Sequence, residues 1–291
     1  MKILIRVACY NHANYVAVCL SSIADQDYPS MEVMVIDDGS TDDTARIAEG
    51  ACLKYGFRFL RNERNLGLPA TLNKMVTLSE GFDAVFSIAS DDILQTGAIR
   101  SMVATLRSNP GAAGAYGDAE LINSEGVSLG LIRNDRISGD VFERVLFGEA
   151  TIPLAWIMWT KEAYQAFGGY DETVPLEDSY AFVKMAKLGP IHFANAPTVR
   201  YRKHAGNSTV NSWHMYQSSR RLLASLSNEP FYSKLRRKMG SEYFFVLSRR
   251  HKLEAIRYLP EALLRPFRRQ FWAGLINLVG LGFIVEKFIR R

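Results

Sequence analysis

The stretch that most limits what this chain can become is 83–94, DAVFSIASDDIL. Val85, Phe86 and Ile88 form a short apolar run after Gly81, the pattern of a buried strand. The run stops at once in Ser90-Asp91-Asp92. Adjacent carboxylates at a strand's carboxyl end make poor core, because an unpaired buried charge is expensive to desolvate. They suit a divalent cation and a polar ligand, and open α/β sheets bind ligands outside the carboxyl ends of their strands. An isolated S-D-D is more often a solvated turn, here with Asp92 capping the next helix. A second acidic strand end upstream, Asp37-Asp38, turns the reading toward a ligand site.

From the amino end, Ile3, Leu4, Ile5, Val7 and Ala8 form an apolar run broken only by Arg6, as in parallel strands covered on both faces. The run delivers Tyr10-Asn11 to its end. Asn14 is placed to cap a helix whose apolar positions Val16, Leu20 and Ile23 fall at helical spacing. Residues 32–36 (EVMVI) predict a second strand ending in Asp37-Asp38-Gly39-Ser40-Thr41. Gly39 permits a sharp turn, and Ser40 or Thr41 caps a helix running to about Tyr55. Residues 57–60 predict a third strand. The following loop carries Asn62, Asn65 and Gly67, and Pro69 sits in the first turn of the next helix. With the stretch at 85–88 as fourth strand, the β-α-β-α-β-α-β order is a doubly wound nucleotide-binding half. Neither G-x-G-x-x-G nor G-x-x-x-x-G-K-[ST] occurs, so neither cradle holds phosphate. An acid must then act on phosphate through a metal bridge.

The 291 residues suffice for one large α/β domain with an appendage, and 48% hydrophobic against 22% charged residues supply an ample core. Cys9, Cys19 and Cys52 show no metal spacing and imply small buried thiols in a reducing compartment. The opening MKILIRVACYNHANY, interrupted by Arg6 and followed by Asn11, His12 and Asn14, does not read as a signal peptide. The charge-free stretch 271–285 contains three glycines and falls short of the ~20 residues that span a bilayer. Residues 234–291 hold 14 Lys and Arg against 4 acids, a net of +10, whereas 1–233 carries −5. A basic tail on a mildly acidic body points to an anionic surface.

Taken in order, Y-N at 10–11, V-I-D-D-G-S-T-D at 35–42, N-x-G-L at 65–68 and S-D-D at 90–92 resemble family 2 glycosyltransferases of the GT-A fold. Phe167-Gly168-Gly169-Tyr170-Asp171-Glu172 resembles that family's G-G-F-D-E turn. Glu177-Asp178 resembles its E-D pair, and Tyr201-Arg202-Lys203-His204, with Ser208 after it, its Y-R-x-H segment. Ala8-Cys9 stands where relatives have Pro-Thr, and Leu72 where relatives often carry a basic residue. The resemblance covers 1–210. It implies an α/β protein of the GT-A fold, a Rossmann-like, mostly parallel sheet flanked by helices. The nucleotide-binding half is expected at 1–95, the acceptor-side half at 96–210, and a helical, basic, amphipathic C-terminal extension at 211–291.

The same resemblance implies a metal-dependent, inverting glycosyltransferase of the cell-surface polysaccharide or lipopolysaccharide type. It would move a sugar from a nucleoside-diphosphate sugar, UDP favoured and dTDP admitted, to a hydroxyl of a glycan or lipid-linked glycan. Tyr10 and Asn11 are expected to line the base pocket with Asn65 and Gly67 at the donor loop. Asp37 accepts the N3–H of uracil or thymine, and Asp38 braces the turn. Asp91 binds ribose hydroxyls and Asp92 ligates Mn²⁺ or Mg²⁺. His204 contacts the diphosphate ahead of the metal. One carboxylate with diphosphate oxygens and waters fits octahedral coordination, and the cation acts as Lewis acid on the leaving group. Asp178 is expected to be the general base, with Glu177 positioning the acceptor. Arg200, Arg202 and Lys203 form a basic strand able to meet a diphosphate, and His12 receives no role. Trp156 and Trp159 suit sugar rings or core equally.

Two other classes stay open. A nucleotidyltransferase-like enzyme wants a Gly-rich basic loop after the first strand, where this chain has Tyr10-Asn11-His12. A non-catalytic sugar-nucleotide-binding protein is the third reading, and Asp92 and Asp178 argue against it. In the tail, Leu263, Phe267, Phe271, Leu275 and Leu278 recur at helical steps with Arg265, Arg268 and Arg269 opposite, the layout of an interfacial amphipathic helix. It predicts peripheral membrane contact through 260–291 at the cytoplasmic face. Packing on the domain or in a homo-oligomer is the alternative. No nucleic-acid motif accompanies the basic residues, so nucleic acid is not expected.

Overall fold

The computed structural model describes residues 1–78, 81–174, 176–207, 212–249, 251–263 and 272–275. The chain divides into two units, Met1–Asn211 and Ser212–Arg291. In the first, β1 (Ile3–Cys9), β2 (Met31–Asp37), β3 (Arg58–Arg61) and β4 (Ala84–Ala89) alternate with helices α1 (Val16–Ala24), α2 (Thr44–Tyr55) and α3 (Leu68–Thr77). The four strands pair in parallel in the order β3-β2-β1-β4. The chain continues through β5 (Ile93–Leu94), α4 (Ala98–Ser108), β6 (Gly114–Ile122), β7 (Ser128–Leu131) and α5 (Phe142–Leu146). Then follow β8 (Met158–Thr160), α6 (Lys161–Phe167), α7 (Glu177–Met185) and β9 (Ile191–Arg202). The sheet runs β3-β2-β1-β4-β8-β6-β9-β5, with β7 paired to β6. β8 lies antiparallel to both β4 and β6, whereas β6 and β9 are parallel.

Register decides where the polar strand ends emerge. Cys9 lies opposite Asp37, and Ala8 lies opposite Ala89. The carboxyl ends of β1, β2 and β4 therefore share one rim, bringing Tyr10-Asn11, Asp37-Asp38 and Ser90-Asp91-Asp92 side by side. The loops there bond to one another more than to their own helices. Ser40 Oγ accepts Asn11 N–H at 3.0 Å, and Asn11 Oδ1 accepts Thr41 N–H at 2.9 Å. The caps expected from Asn14, Ser40 and Thr41 are not made, and α1 and α2 start later, at Val16 and Thr44.

The faces of β1 separate by the two-residue period of a strand. Ile3, Ile5, Val7 and Cys9 enter a core shared with α1 and α4. Arg6 points to the other face and is 1% exposed. A buried cation without a partner is costly, so the donors matter. Arg6 donates to the hydroxyls of Tyr164 and Tyr170 and to Ser87 Oγ, and its guanidinium lies 4.9 Å from the Tyr164 ring centroid. The three cysteines are buried and unpaired.

The second unit contains α8 (Ser212–Ser225), α9 (Tyr232–Ser248), α10 (Lys252–Ile256) and α11 (Leu259–Leu263) around Tyr216, Tyr243, Phe244 and Leu247. Among the described residues no helix is long and apolar enough to cross a membrane. Of the expected amphipathic stripe, Leu263 and Leu275 are described, while Arg265, Phe267, Arg268, Arg269, Phe271 and Leu278 lie outside the described residues.

Gly117 marks a break in β6–β9 register between Tyr116 and Asp118. A Cβ there would stand 2.4 Å from both Ala196 O and Thr198 Cγ2. Gly117→Ala is expected to destabilise by about 1–3 kcal/mol, read as a fall in Tm of about 2–4 °C per kcal/mol. Gly50, in α2 with nothing within 4 Å of an added Cβ, is expected to behave oppositely. Gly50→Ala raises Tm, because alanine costs less backbone entropy in a helix.

Candidate active site

Asp37 and Asp38 share a strand end but do different things. Asp37 is fully buried; its Oδ2 accepts Ser40 N–H at 3.0 Å and lies 3.4 Å from Arg61 Nε. Its Oδ1 is buried with no hydrogen-bond partner. A base seeking the Asp37 carboxylate would thus meet an acceptor that the surrounding chain closes off. Asp38 gathers the 62–67 loop: Oδ1 accepts Asn62 Nδ2 at 2.8 Å and Leu66 N–H at 2.9 Å, and Oδ2 accepts Gly67 N–H at 3.0 Å. Asn65 Oδ1 also accepts Gly67 N–H, at 2.8 Å. The loop lies so close to Gly39 that a Cβ there would sit 2.4 Å from Arg64 C. Tyr10, 40% exposed, and Asn11, held at φ +53°, edge the same rim. The structure thus brings Asn11, Asp37, Asp38, Asn65 and Gly67 into one bonded assembly with Tyr10 beside it.

The adjacent acids of the S-D-D diverge. Asp91 Oδ2 accepts from His204 Nε2 at 2.9 Å and lies 3.8 Å from His12 Nε2 and 3.4 Å from Asn207 Nδ2. Single ligand atoms of His12, Asp91 and His204 all lie within 4.8 Å of one another, a spacing that can hold a metal ion. Asp92 turns inward instead. Its Oδ1 accepts the backbone N–H of Arg202 at 2.9 Å and its Oδ2 the indole N–H of Trp156 at 3.3 Å. Burial and then the neighbouring Asp91 push its carboxyl well above the usual range. The metal role read onto Asp92 meets carboxylate oxygens already engaged, and the ribose role read onto Asp91 meets a carboxylate grouped with two imidazoles. The two acids lie in the turn between β4 and β5, closed by Asp92 N–H to Ala89 O at 3.1 Å, and the partners from β9 and the 154–156 turn hold Asp92 to one side of it.

His12, given no role from sequence, is the third member of this group. Its Nδ1 lies 2.8 Å from Ser90 Oγ, which leaves Nε2 toward Asp91. Burial lowers its pKa, outweighing Asp91, and His204 lowers it further, so the ring stays neutral and keeps a lone pair. Parallel pairing of β1 with β4 supplies the proximity, a signal that spacing alone does not carry. The basic strand is also spent internally. Arg200 pairs with Glu120 at 2.8 Å and donates to Gly126 O, and Arg202 donates to the carbonyls of Asp91, Asn123 and Ser124. Trp156 and Trp159 are both buried.

Glu177 and Asp178 open α7, where acids favour the helix dipole. Both are half-buried. Burial first, then Asp178, pushes the Glu177 carboxyl up to about 8, and burial raises Asp178 as well. Adjacent carboxyls in such a place retain a proton near neutral pH. α7 packs against the turn Leu154–Trp156, whose indole reaches Asp92. That turn is the link between the carboxylate pair and the Asp91–Asp92 corner.

The model of the family described as Glycosyl transferase family 2 matches residues 5–154. A chondroitin synthase of Escherichia coli is 27% identical over 208 residues, 71% of this chain and 29% of that protein. A poly-beta-1,6-N-acetyl-D-glucosamine synthase of Staphylococcus epidermidis is 26% identical over 176 residues, 59% of this chain and 42% of that protein. The chain therefore spans less than half the length of these curated relatives. Among solved structures, S. aureus TarS 1–349 in complex with UDP-GlcNAc aligns with TM-score 0.69 at 19% identity, over 100% of this chain and 92% of that one. A mannosyltransferase from Pyrobaculum calidifontis in complex with GDP-Man and Mn²⁺ aligns with TM-score 0.62 at 18% identity, over 97% and 87%. These likenesses show the fold, which is GT-A. With the family match covering more than half of its length and the ordered motifs standing at one rim of the sheet, this chain belongs to glycosyl transferase family 2.

Proposed function

We propose that this protein transfers a sugar from a nucleoside-diphosphate sugar, UDP favoured, to a hydroxyl of a glycan or lipid-linked glycan, with a divalent cation and with inversion. The observation that carries the reading is the grouping of His12, Asp91 and His204 beside the Asp38-gathered loop, at the carboxyl rim of a parallel sheet. The donor set fits a cation: one carboxylate with two imidazoles is a ligand set for a first-row divalent ion. When bound, such a cation neutralises the leaving diphosphate. His204 presents Nε2–H to Asp91 while its Nδ1 accepts from Gly206 N–H at 3.2 Å. To offer Nε2 as a ligand it gives up that second bond, made to an exposed turn. The exposed edge of Tyr10 and Asn11, beside the loop that Asp38 gathers, would take the base. Asp178 would accept the proton of the attacking hydroxyl, with Glu177 holding the acceptor; the protonation of this pair sets the pH at which that happens. The named relatives make glycans, and the named structures hold UDP-GlcNAc and GDP-Man, which supports nucleotide-sugar chemistry of this kind. The excess of basic residues in 234–291 supports a place against the anionic cytoplasmic face of a membrane.

The test is a panel of UDP-, dTDP- and GDP-sugars, scored for binding and for release of the nucleoside diphosphate with Mn²⁺ and with EDTA. One donor is expected to bind only with the cation. Asp91→Asn weakens that binding at least tenfold, and Asp178→Asn binds normally but loses about 10²–10⁴-fold in turnover. Donor binding that ignores EDTA would remove the cation from the reading, and full turnover by Asp178→Asn would remove the base.

The carboxylate pair also predicts a pH dependence of stability. Folded Glu177 keeps its proton to about pH 8, whereas the unfolded group ionises near 4.5. The folded state holds the extra proton between those values, so the group's stabilisation is full below pH 4.5 and lost as pH rises to about 8. Glu177→Gln removes that loss. Its Tm is expected to exceed wild type by a few degrees above pH 8 and to match it at pH 4.5, the size being limited by solvent screening at a half-buried position.

A further inference from the structure

The turn at 168–172 is joined to α3 by contacts that no proposed catalytic role uses. Asn73, on α3, faces Tyr170 across 97 residues of sequence and makes both bonds that a neighbouring strand would make. Its Nδ2 donates to Tyr170 O at 2.9 Å, and its Oδ1 accepts Tyr170 N–H at 2.8 Å. Nδ2 also reaches Glu172 Oε1 at 3.2 Å. Gly169, at φ +106°, is what admits this approach, because a Cβ there would stand 3.1 Å from Asn73 Oδ1. On its side-chain end, Tyr170 OH accepts from buried Arg6 at 3.1 Å. The Tyr170 ring packs edge-on to Phe167 at 4.8 Å, and Phe167 packs edge-on to Tyr180 at 5.9 Å. Tyr180 lies on α7, two residues after Asp178.

We infer that Asn73 is a positioning residue for Asp178, holding the Gly169–Tyr170 backbone so that Phe167 and Tyr180 fix the first turn of α7. The inference rests on the reading of Asp178 as general base. Asn73 itself needs no contact with substrate. Its amide sets the place of a backbone segment, and an error of about 1 Å at a reacting group costs on the order of 10²-fold in rate. A glycine pair suits the segment because α6 ends in a left-handed residue, Gly168 at φ +74°, and the next residue must pass under a side-chain amide.

The experiment compares Asn73→Ala, Asp178→Asn and the double variant in release of nucleoside diphosphate from UDP-GlcNAc and GDP-mannose with Mn²⁺. Binding of UDP and GDP and the Tm are read beside it. Expected are a loss of about 10–100-fold in kcat for Asn73→Ala, nucleotide affinity near wild type, and no further loss when Asn73→Ala is added to Asp178→Asn. Gly169→Ala, which pushes a methyl at the same amide from the other side, is expected to reproduce the loss. A lower Tm with unchanged kcat, or losses that multiply in the double variant, overturns the positioning role and leaves the base reading standing. Full turnover by Asp178→Asn overturns the base reading, and the positioning role with it.

Discussion

A carboxylate spent wholly on the protein holds the acidic end of the sheet together. Asp92 takes the backbone N–H of Arg202 on one oxygen and the Trp156 indole on the other. Arg202 in turn reaches back to the carbonyl of Asp91 and forward to those of Asn123 and Ser124. Four segments meet in this way: the end of β4, the end of β9, the 154–156 turn and the turn between β6 and β7. Each buried donor there has an acceptor, and removing one partner would leave the other to bear its desolvation cost alone. Asp91 can face His12 and His204 only because Asp92, one residue on, is fixed in the opposite direction.

The same economy governs the donor side. The Asp37–Asp38 end is acidic, but Asp38 uses its charge to draw three donors of one loop onto itself, and Gly39 leaves the space for the loop to come close. A rim shaped before any ligand arrives loses little entropy on binding. Arg6 extends the pattern to the opposite face of β1, where its two terminal nitrogens donate to two phenols and a serine while the buried Nε is left without a partner.

Much of this was legible from residue order. Apolar runs ending in acids, glycine at a turn and proline at a helix start marked β1, β2, β4 and α3, and the ordered motifs identified the family. What stayed hidden depends on long-range pairing. A sequence shows two neighbouring aspartates at 91 and 92 but not which one the sheet turns inward, because the partner that decides it is the backbone N–H of residue 202. His12 looked idle because its neighbours Ser90 and Asp91 are brought to it by β1–β4 register. Arg200 and Arg202 read as part of a basic strand able to meet a diphosphate, but Glu120, the carbonyls of the β6–β7 turn and the Asp91 carbonyl consume them. The caps expected at Ser40 and Thr41 failed for a related reason: both side chains bond to Asn11 in the adjacent loop and not to their own helix.

Asp92 and Arg202 are separated by 110 residues, and β5 pairs with β9, near the end of the unit. On a chain emerging from the ribosome, α1, α2 and the first parallel strands precede every group that locks the acidic corner. The first ninety-odd residues therefore carry the acids but not the means to orient them. Because contacts this distant in sequence close late and slowly, the acidic corner is among the last parts of the unit to acquire its shape, and a truncated chain ending before β9 would leave Asp92 without its Arg202 partner.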